Sequence, residues 1–593
     1  MYDLLITGGT IYDGTGAAGR KADVAVKDGK IAAIGENLGA AKRTIDATGH
    51  IVTPGFLDVH THYDGQVSWD DKFEPSCYHG VTTAVMGSCG VGFAPVRPTD
   101  HKKLISLMEG VEEIPGAALA EGLTWNWESV PDYMNAIDFP HAIDFAVQVV
   151  HDPLRMYVMG DRAVVNEPAT PADIAEMKRL TREALEAGAV GLSIGRSDVH
   201  RTAEGQWTPS SEAGKEELAG LAEAFRGLDH GVLQAVNDFD LERGNPEAFD
   251  YEFDLLEAFV EASGGRPFSM SLMQRDFAPK QWKDIIARGE AAKARGLDMH
   301  FQVAPRGIGV TLGLTCTFHP FMGFPSYKKI SHLPIEERVK VMRDPAFKAQ
   351  MLSEKPDQLA GDGTPIPPLA DKLLGMIDFV SCKLFRLGDN PDYEQSPETS
   401  VYKLAVADGV KPLEKIYDLL LEDDGHAFLY FPIYNYTDLN FNAVETMLKH
   451  PQSIMGLSDG GAHVGTVCDS SFPSYMLAHW TRDRSRGGKL ELAEAIRKLT
   501  SQLADYMGFA DRGRIEVGKK ADLNVIDYEG LKLLAPRMVH DLPAGGARLI
   551  QKAKGYKATI VSGEVIVDDG VLTDARPGRL VRGGTQGKEK AAA

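Results

Sequence analysis

From residue 55 onward, short apolar runs alternate with helical patterns, and this alternation restricts the fold more than any other feature of the chain. Runs at 81–86, 145–150, 189–194, 231–236, 267–272, 297–303, 428–431 and 453–457 have the length of strands. Between two of them, Thr170-Pro171 supplies an N-cap and an N1 proline, Ile174, Met177, Thr181 and Leu185 keep helical spacing, and Gly188 closes the helix. Repeated strand–helix units predict a parallel sheet, either doubly wound or closed into a barrel. About eight strands favour the barrel, whose chemistry lies on the loops after the strand C-termini.

The two ends of the chain have a different texture. Residues 1–54 read as short strands with Asp13-Gly14 and Asp28-Gly29 as hairpin signals. Strand patterns return in 511–573, at 521–527, 556–561 and 564–570. Neither end alone can bury a sandwich core, so the two are predicted to pair into one small β-sandwich beside a barrel spanning 55–510. Residues 307–400, rich in proline and glycine, break the rhythm and predict an insertion that forms part of a lid. The polar stretch 574–593 is expected to be a mobile tail.

Charge and cysteine content narrow the possible partners. The 593 residues carry a formal net charge of −21, which argues against nucleic acid and against an anionic membrane surface. No stretch approaches the ~20 apolar residues of a membrane helix. The five cysteines, Cys77, Cys89, Cys316, Cys382 and Cys468, are odd in number and contain no Cys-x-x-Cys pair, so a disulfide framework is not expected. The N-terminus lacks the basic region and long apolar run of a signal peptide. A cytoplasmic protein with a small-molecule substrate is expected, with homo-oligomerisation open.

Chemistry concentrates at predicted strand ends. His60 and His62 stand one residue apart after the run 51–59, and on a strand alternate residues share a face. Two neighbouring imidazoles are half of a metal site, although a bare His-x-His pair, taken alone, fits a hydrogen-bonded surface turn better. Cys89 lies in the glycine-rich loop after the second strand, where it reads as a thiolate ligand or a small buried thiol. Asp459 follows the last strand, in Ser458-Asp459-Gly460, where a carboxylate can touch a metal and take a proton, or simply make a turn. Their joint placement on one predicted rim favours the metal site.

These segments also carry a resemblance. Gly55-Phe56-Leu57-Asp58-Val59-His60-Thr61-His62, His79-Gly80-Val81-Thr82-Thr83, Gly87-Ser88-Cys89-Gly90, Ser458-Asp459-Gly460 and Gly518-Lys519-Lys520-Ala521-Asp522-Leu523 resemble the amidohydrolase superfamily, and within it the N-acyl-D-amino-acid deacylases (D-aminoacylases). The resemblance implies an α/β fold, a metal-dependent-hydrolase (β/α)8 TIM-like barrel with a small β-sandwich domain formed from both chain ends. It implies a metal, zinc by default and one ion per chain, on His60, His62, Cys89 and Asp459. It also implies cleavage of a non-peptide C–N bond in an N-acyl-D-amino acid or similar N-acyl amino compound. Metal-activated water would attack, with Asp459 as general base and acid.

The chain departs from the family where two further histidines are expected. Asn237 stands at the fifth-strand position and Leu272 at the sixth; leucine cannot bind a metal, and asparagine is a poor zinc ligand. His230 precedes its strand and Lys383 falls too late in strand order, so neither substitutes. Arg196 and Arg306 are candidates for a substrate carboxylate, which favours an arginine fork, and His200 and His463 are candidates for contacting substrate. Two other readings keep the scaffold: hydrolysis of a cyclic amide, imide or lactone, and a decayed enzyme serving as a binding protein.

Overall fold

The repeating units close into a barrel. The structure, a computed structural model, describes residues 1–197, 199–239, 246–359 and 368–584. Eight strands, β1 (Phe56–Asp58), β2 (Val81–Met86), β3 (Asp144–Val150), β4 (Gly191–Arg196), β5 (Val232–Asn237), β6 (Phe268–Ser271), β7 (Met299–Val303) and β8 (Ser453–Met455), form one sheet in sequence order. Every neighbouring pair is parallel. Just past the ends of β8 and β1 the ring is completed by a parallel bridge between Thr61 and Gly460, with the His62 amide donating to the Gly460 carbonyl at 2.8 Å. That closure brings the first and last strand ends, and the residues that follow them, to one point on the rim. Thr170 caps the helix Pro171–Glu186, its hydroxyl accepting from the Asp173 amide.

The chain ends pair as expected. Ile51–Pro54 runs antiparallel to Leu523–Ile526 inside a seven-stranded sheet that combines strands from both termini. A four-stranded sheet of Tyr2–Thr7, Asp23–Lys27, Lys30–Gly35 and Ala41–Asp46 packs against it. Their common core joins Leu4, Val24 and Val26 to Leu523, Val525 and Ile560. Asp28 and Gly29 turn the hairpin between Lys27 and Lys30, both at positive φ (52° and 71°), as a tight two-residue hairpin requires.

Three expectations need correction. The run at 428–431 is no barrel strand. It belongs to Phe428–Tyr434, the middle of a three-stranded antiparallel sheet with Ile308–Leu312 and Phe385–Leu387. The insertion therefore occupies the whole interval from β7 to β8, well past 400, and has its own core around Phe321, Tyr417 and Leu429. A short apolar run reads the same in a parallel barrel and in an antiparallel sheet. The tail is also held as far as 584: the Gly578, Val581 and Gly583 amides donate to the His141, Phe145 and Gly188 carbonyls at 2.7–2.8 Å. Backbone pairing anchors it under the barrel, which its polar composition does not reveal. Residues 585–593 lie outside the described residues.

Candidate metal centre

His60 and His62 follow β1 and are buried, at 1% and 0% exposure. The strand period carries just past the strand end: the two rings stand on the same side, 5.5 Å apart. His60 Nδ1 lies 2.7 Å from Gln302 Oε1, and Gln302 Nε2 is held by Ser269 Oγ at 2.9 Å. The Gln302 oxygen therefore accepts a hydrogen bond from Nδ1–H, and the Nε2 lone pair is left free. That Nε2 is 3.4 Å from Cys89 Sγ and 3.2 Å from Asp459 Oδ1.

His62 has a carboxylate rather than an amide behind it. Its Nδ1 is 3.2 Å from Glu112 Oε1, and its Nε2 is 3.8 Å from Asp459 Oδ1. Neither ring nitrogen of His62 and neither oxygen of Glu112 makes a hydrogen bond. Orphaned buried groups of this kind are costly, and a cation on Nε2 would engage one of them directly. Ligand atoms of His60, His62 and Cys89 all lie within 4.8 Å of one another. Two imidazoles, a thiol and a carboxylate are a zinc-type donor set, so the residues fit the ion.

The surroundings bias each group's charge. Burial pushes His60 down to about 4, so it is neutral and ready to ligate. Burial pushes the Cys89 thiol up, helped by Glu112 and Asp459, so capture of an ion by the thiolate releases a proton. Burial opposes charge on Asp459, but the neighbouring imidazoles of His62, His60 and His463 hold its carboxyl well below the usual range. His463 runs the other way. Burial disfavours its charge, yet Glu113, Glu112 and Asp459 raise it to about 9.

The backbone at this rim is unusual. Cys89, Leu457, Asp459 and His463 all have φ between 46° and 60°, a region that non-glycine residues occupy at a cost. Gly90 follows Cys89 at φ 76°, and a Cβ there would lie 2.6 Å from the Gly195 amide nitrogen. The Cys89 loop can therefore lie directly on β4, with the sulfur turned toward His60.

A cavity opens over these groups, walled by His200 and His463 among others. Arg196 and Arg306 do not line it. Arg196 Nε and Nη2 grip Glu252 at 2.6 and 2.7 Å, and Nη1 donates to the Ala213 carbonyl. Arg306 is fully buried, with Nη2 2.7 Å from Asp469 Oδ1 and its guanidinium 3.6 Å over the Tyr393 ring. Both expectations of substrate contact are thereby corrected: each arginine follows a strand on the correct face, but a distant carboxylate already holds it. Arg196→Met is expected to destabilise the protein by about 3–5 kcal/mol, because it strands the buried Glu252 charge. Pairing it with Glu252→Met should restore most of the loss of unfolding midpoint. A stable Arg196→Met protein with a raised KM would return Arg196 to the substrate.

Asn237 ends β5 and Leu272 follows β6. The Asn237 amide is used by Glu252 Oε2 (3.1 Å) and the Phe239 amide (2.6 Å), and Leu272 is fully buried. His230 lies before β5, at the opposite end of the barrel, and Lys383 is paired with Asp276 at 2.7 Å.

Glu112 escaped the sequence reading. It ends the helix His101–Glu112, and the pair Glu112-Glu113 puts two acids at a helix C-terminus, where the macrodipole disfavours them. That misfit was the available signal. Glu112→Gln keeps the shape but removes the charge behind His62, and should weaken metal binding about 10–100-fold, read by competition with a zinc indicator. Unchanged affinity would remove Glu112 from this role.

The sequence profile of the amidohydrolase family matches residues 43–567. The chain belongs to that family. As an amidohydrolase it is a hydrolase of carbon–nitrogen bonds other than peptide bonds. It is 26% identical over 588 residues to the D-aminoacylase of Alcaligenes xylosoxydans xylosoxydans, covering 98% of this chain and 97% of that protein. It is also 26% identical over 596 residues to the N-acyl-D-glutamate deacylase of the same organism, covering 98% and 96%. Among solved structures, the N-acyl-D-glutamate deacylase from Bordetella bronchiseptica, complexed with zinc and a phosphonate inhibitor, superposes with a TM-score of 0.61 at 23% identity, covering 98% of this chain and 100% of that one. That likeness shows the fold. Metal dependence of this amidohydrolase is supported by the His60–His62–Cys89 cluster. Among the described residues no helix is long and apolar enough to cross a membrane.

Proposed function

We propose that this amidohydrolase cleaves the amide bond of a small N-acyl amino compound, with one divalent ion, zinc, held by His60, His62, Cys89 and Asp459. The observation that carries the reading is the approach of His60 Nε2 to both Cys89 Sγ, at 3.4 Å, and Asp459 Oδ1, at 3.2 Å, in the lining of a cavity. The D-aminoacylase and deacylase names of its full-length relatives support an N-acyl substrate.

A bound divalent ion supplies a lowered water pKa, to about 7 with zinc, and polarises the scissile carbonyl. Asp459 accepts a proton from the attacking water as the new C–O bond forms, and returns it to the departing nitrogen as the C–N bond breaks. Its carboxyl is ionised and faces the cavity, as that role requires. Burial holds the His200 ring down to about 3, so it faces the substrate as a neutral imidazole. His463 faces it as a cation and can donate to the amide oxygen.

Exhaustive chelation should abolish release of free amine from N-acyl amino compounds, and about one equivalent of zinc per chain should restore it. Turnover that persists in protein shown to be metal-free would overturn this reading.

A further inference from the structure

The cavity walls are unlike those of a site for an acid. Val199, Val236 and Met273 from the barrel face Ile308, Val310 and Ile433 from the insertion. Glu113 and Asp238 are also among its lining residues. Among the described lining residues the one permanent cation is Arg275. Arg275 is 1% exposed, with Nη2 donating to the Asn237 carbonyl at 2.8 Å and Nη1 to Gln281 Oε1 at 3.2 Å, while its Nε has no hydrogen-bond partner. His463 already stands 3.6 Å from each of two carboxylates, Glu112 and Glu113. Arg196 and Arg306 are turned away into ion pairs with Glu252 and Asp469.

We propose that this cavity selects uncharged substrates, N-acyl derivatives of apolar amines that carry no carboxylate, over N-acyl amino acids. The inference rests on the hydrolytic reading above and names its substrate class. A free carboxylate entering the cavity would lose its water against valine, isoleucine and methionine side chains, in a lining that also holds Glu113 and Asp238. An apolar amine of the same shape loses no such hydration and is gathered by the same wall. The insertion supplies half of that wall, so it sets specificity as well as covering the site.

The test compares N-acetyl-2-phenylethylamine with N-acetyl-D-phenylalanine, which differ by one carboxylate, on the zinc-loaded full-length protein. The neutral amide should have a kcat/KM at least about tenfold higher. Val310→Lys, which adds a cation to the partly exposed insertion wall, should narrow that ratio. A ratio below tenfold, or a preference for the acid that disappears in Arg275→Met, overturns the inference and leaves the hydrolytic reading standing. Failure of the zinc-loaded protein to cleave either compound counts against both.

Discussion

Asp459→Asn is expected to lower kcat by about 10³-fold, within the 10²–10⁴ that positioned acid–base groups contribute, with zinc supplied in excess. Asparagine has almost the same shape, so the loop after β8 should keep its course. Ser458 Oγ still bonds Asp58 Oδ2 at 2.6 Å and the His60 carbonyl at 2.9 Å. What changes is chemistry. An amide cannot take the proton of the attacking water, and it lacks the negative charge that stands 3.2 Å from His60 Nε2 and 3.8 Å from His62 Nε2. KM and the unfolding midpoint should move little. A kcat within tenfold of the parent would mean that another group carries the proton, and the role given to Asp459 would be withdrawn.

His60→Asn should have the other large effect, loss of the metal and with it of measurable turnover. His60 is the central member of the set, because its Nε2 is the atom that approaches both Cys89 Sγ and Asp459 Oδ1. Asparagine can keep a hydrogen bond to Gln302 but has no atom where Nε2 stood. The outer partners of a liganding histidine are worth about 10–100-fold in metal affinity, so losing the ligand itself should exceed that range. The purified variant should contain well under one equivalent of metal while unfolding at a temperature close to the parent's. Full metal content in His60→Asn would show that the ion sits elsewhere.

How much of this was legible in the sequence depends on whether the deciding contact was local. The barrel was legible because strand length, helical spacing and caps such as Thr170 act over a few residues. His60 and His62 were legible because the strand period alone puts them on one side. Cys89 and Asp459 followed from the rule that barrel chemistry lies beyond strand ends. Arg196 and Arg306 satisfied the same rule, yet their carboxylates, Glu252 and Asp469, come from 56 and 163 residues away, and no local pattern reports such a pairing. Phe428–Tyr434 failed for a related reason: its partners Ile308–Leu312 and Phe385–Leu387 are set by the insertion's own core. Glu112 contacts His62 only because the helix after β2 folds back over the rim, and its one local trace is an acid at the unfavourable end of a helix.

X-ray absorption at the zinc edge of the zinc-loaded protein tests the central claim most directly. One ion per chain is predicted, bound by two histidine nitrogens at about 2.0–2.1 Å, one sulfur at about 2.3 Å and a carboxylate oxygen. The sulfur contribution should vanish in Cys89→Ala. An ion with no sulfur neighbour in the parent protein, or a spectrum unchanged by Cys89→Ala, would contradict the account.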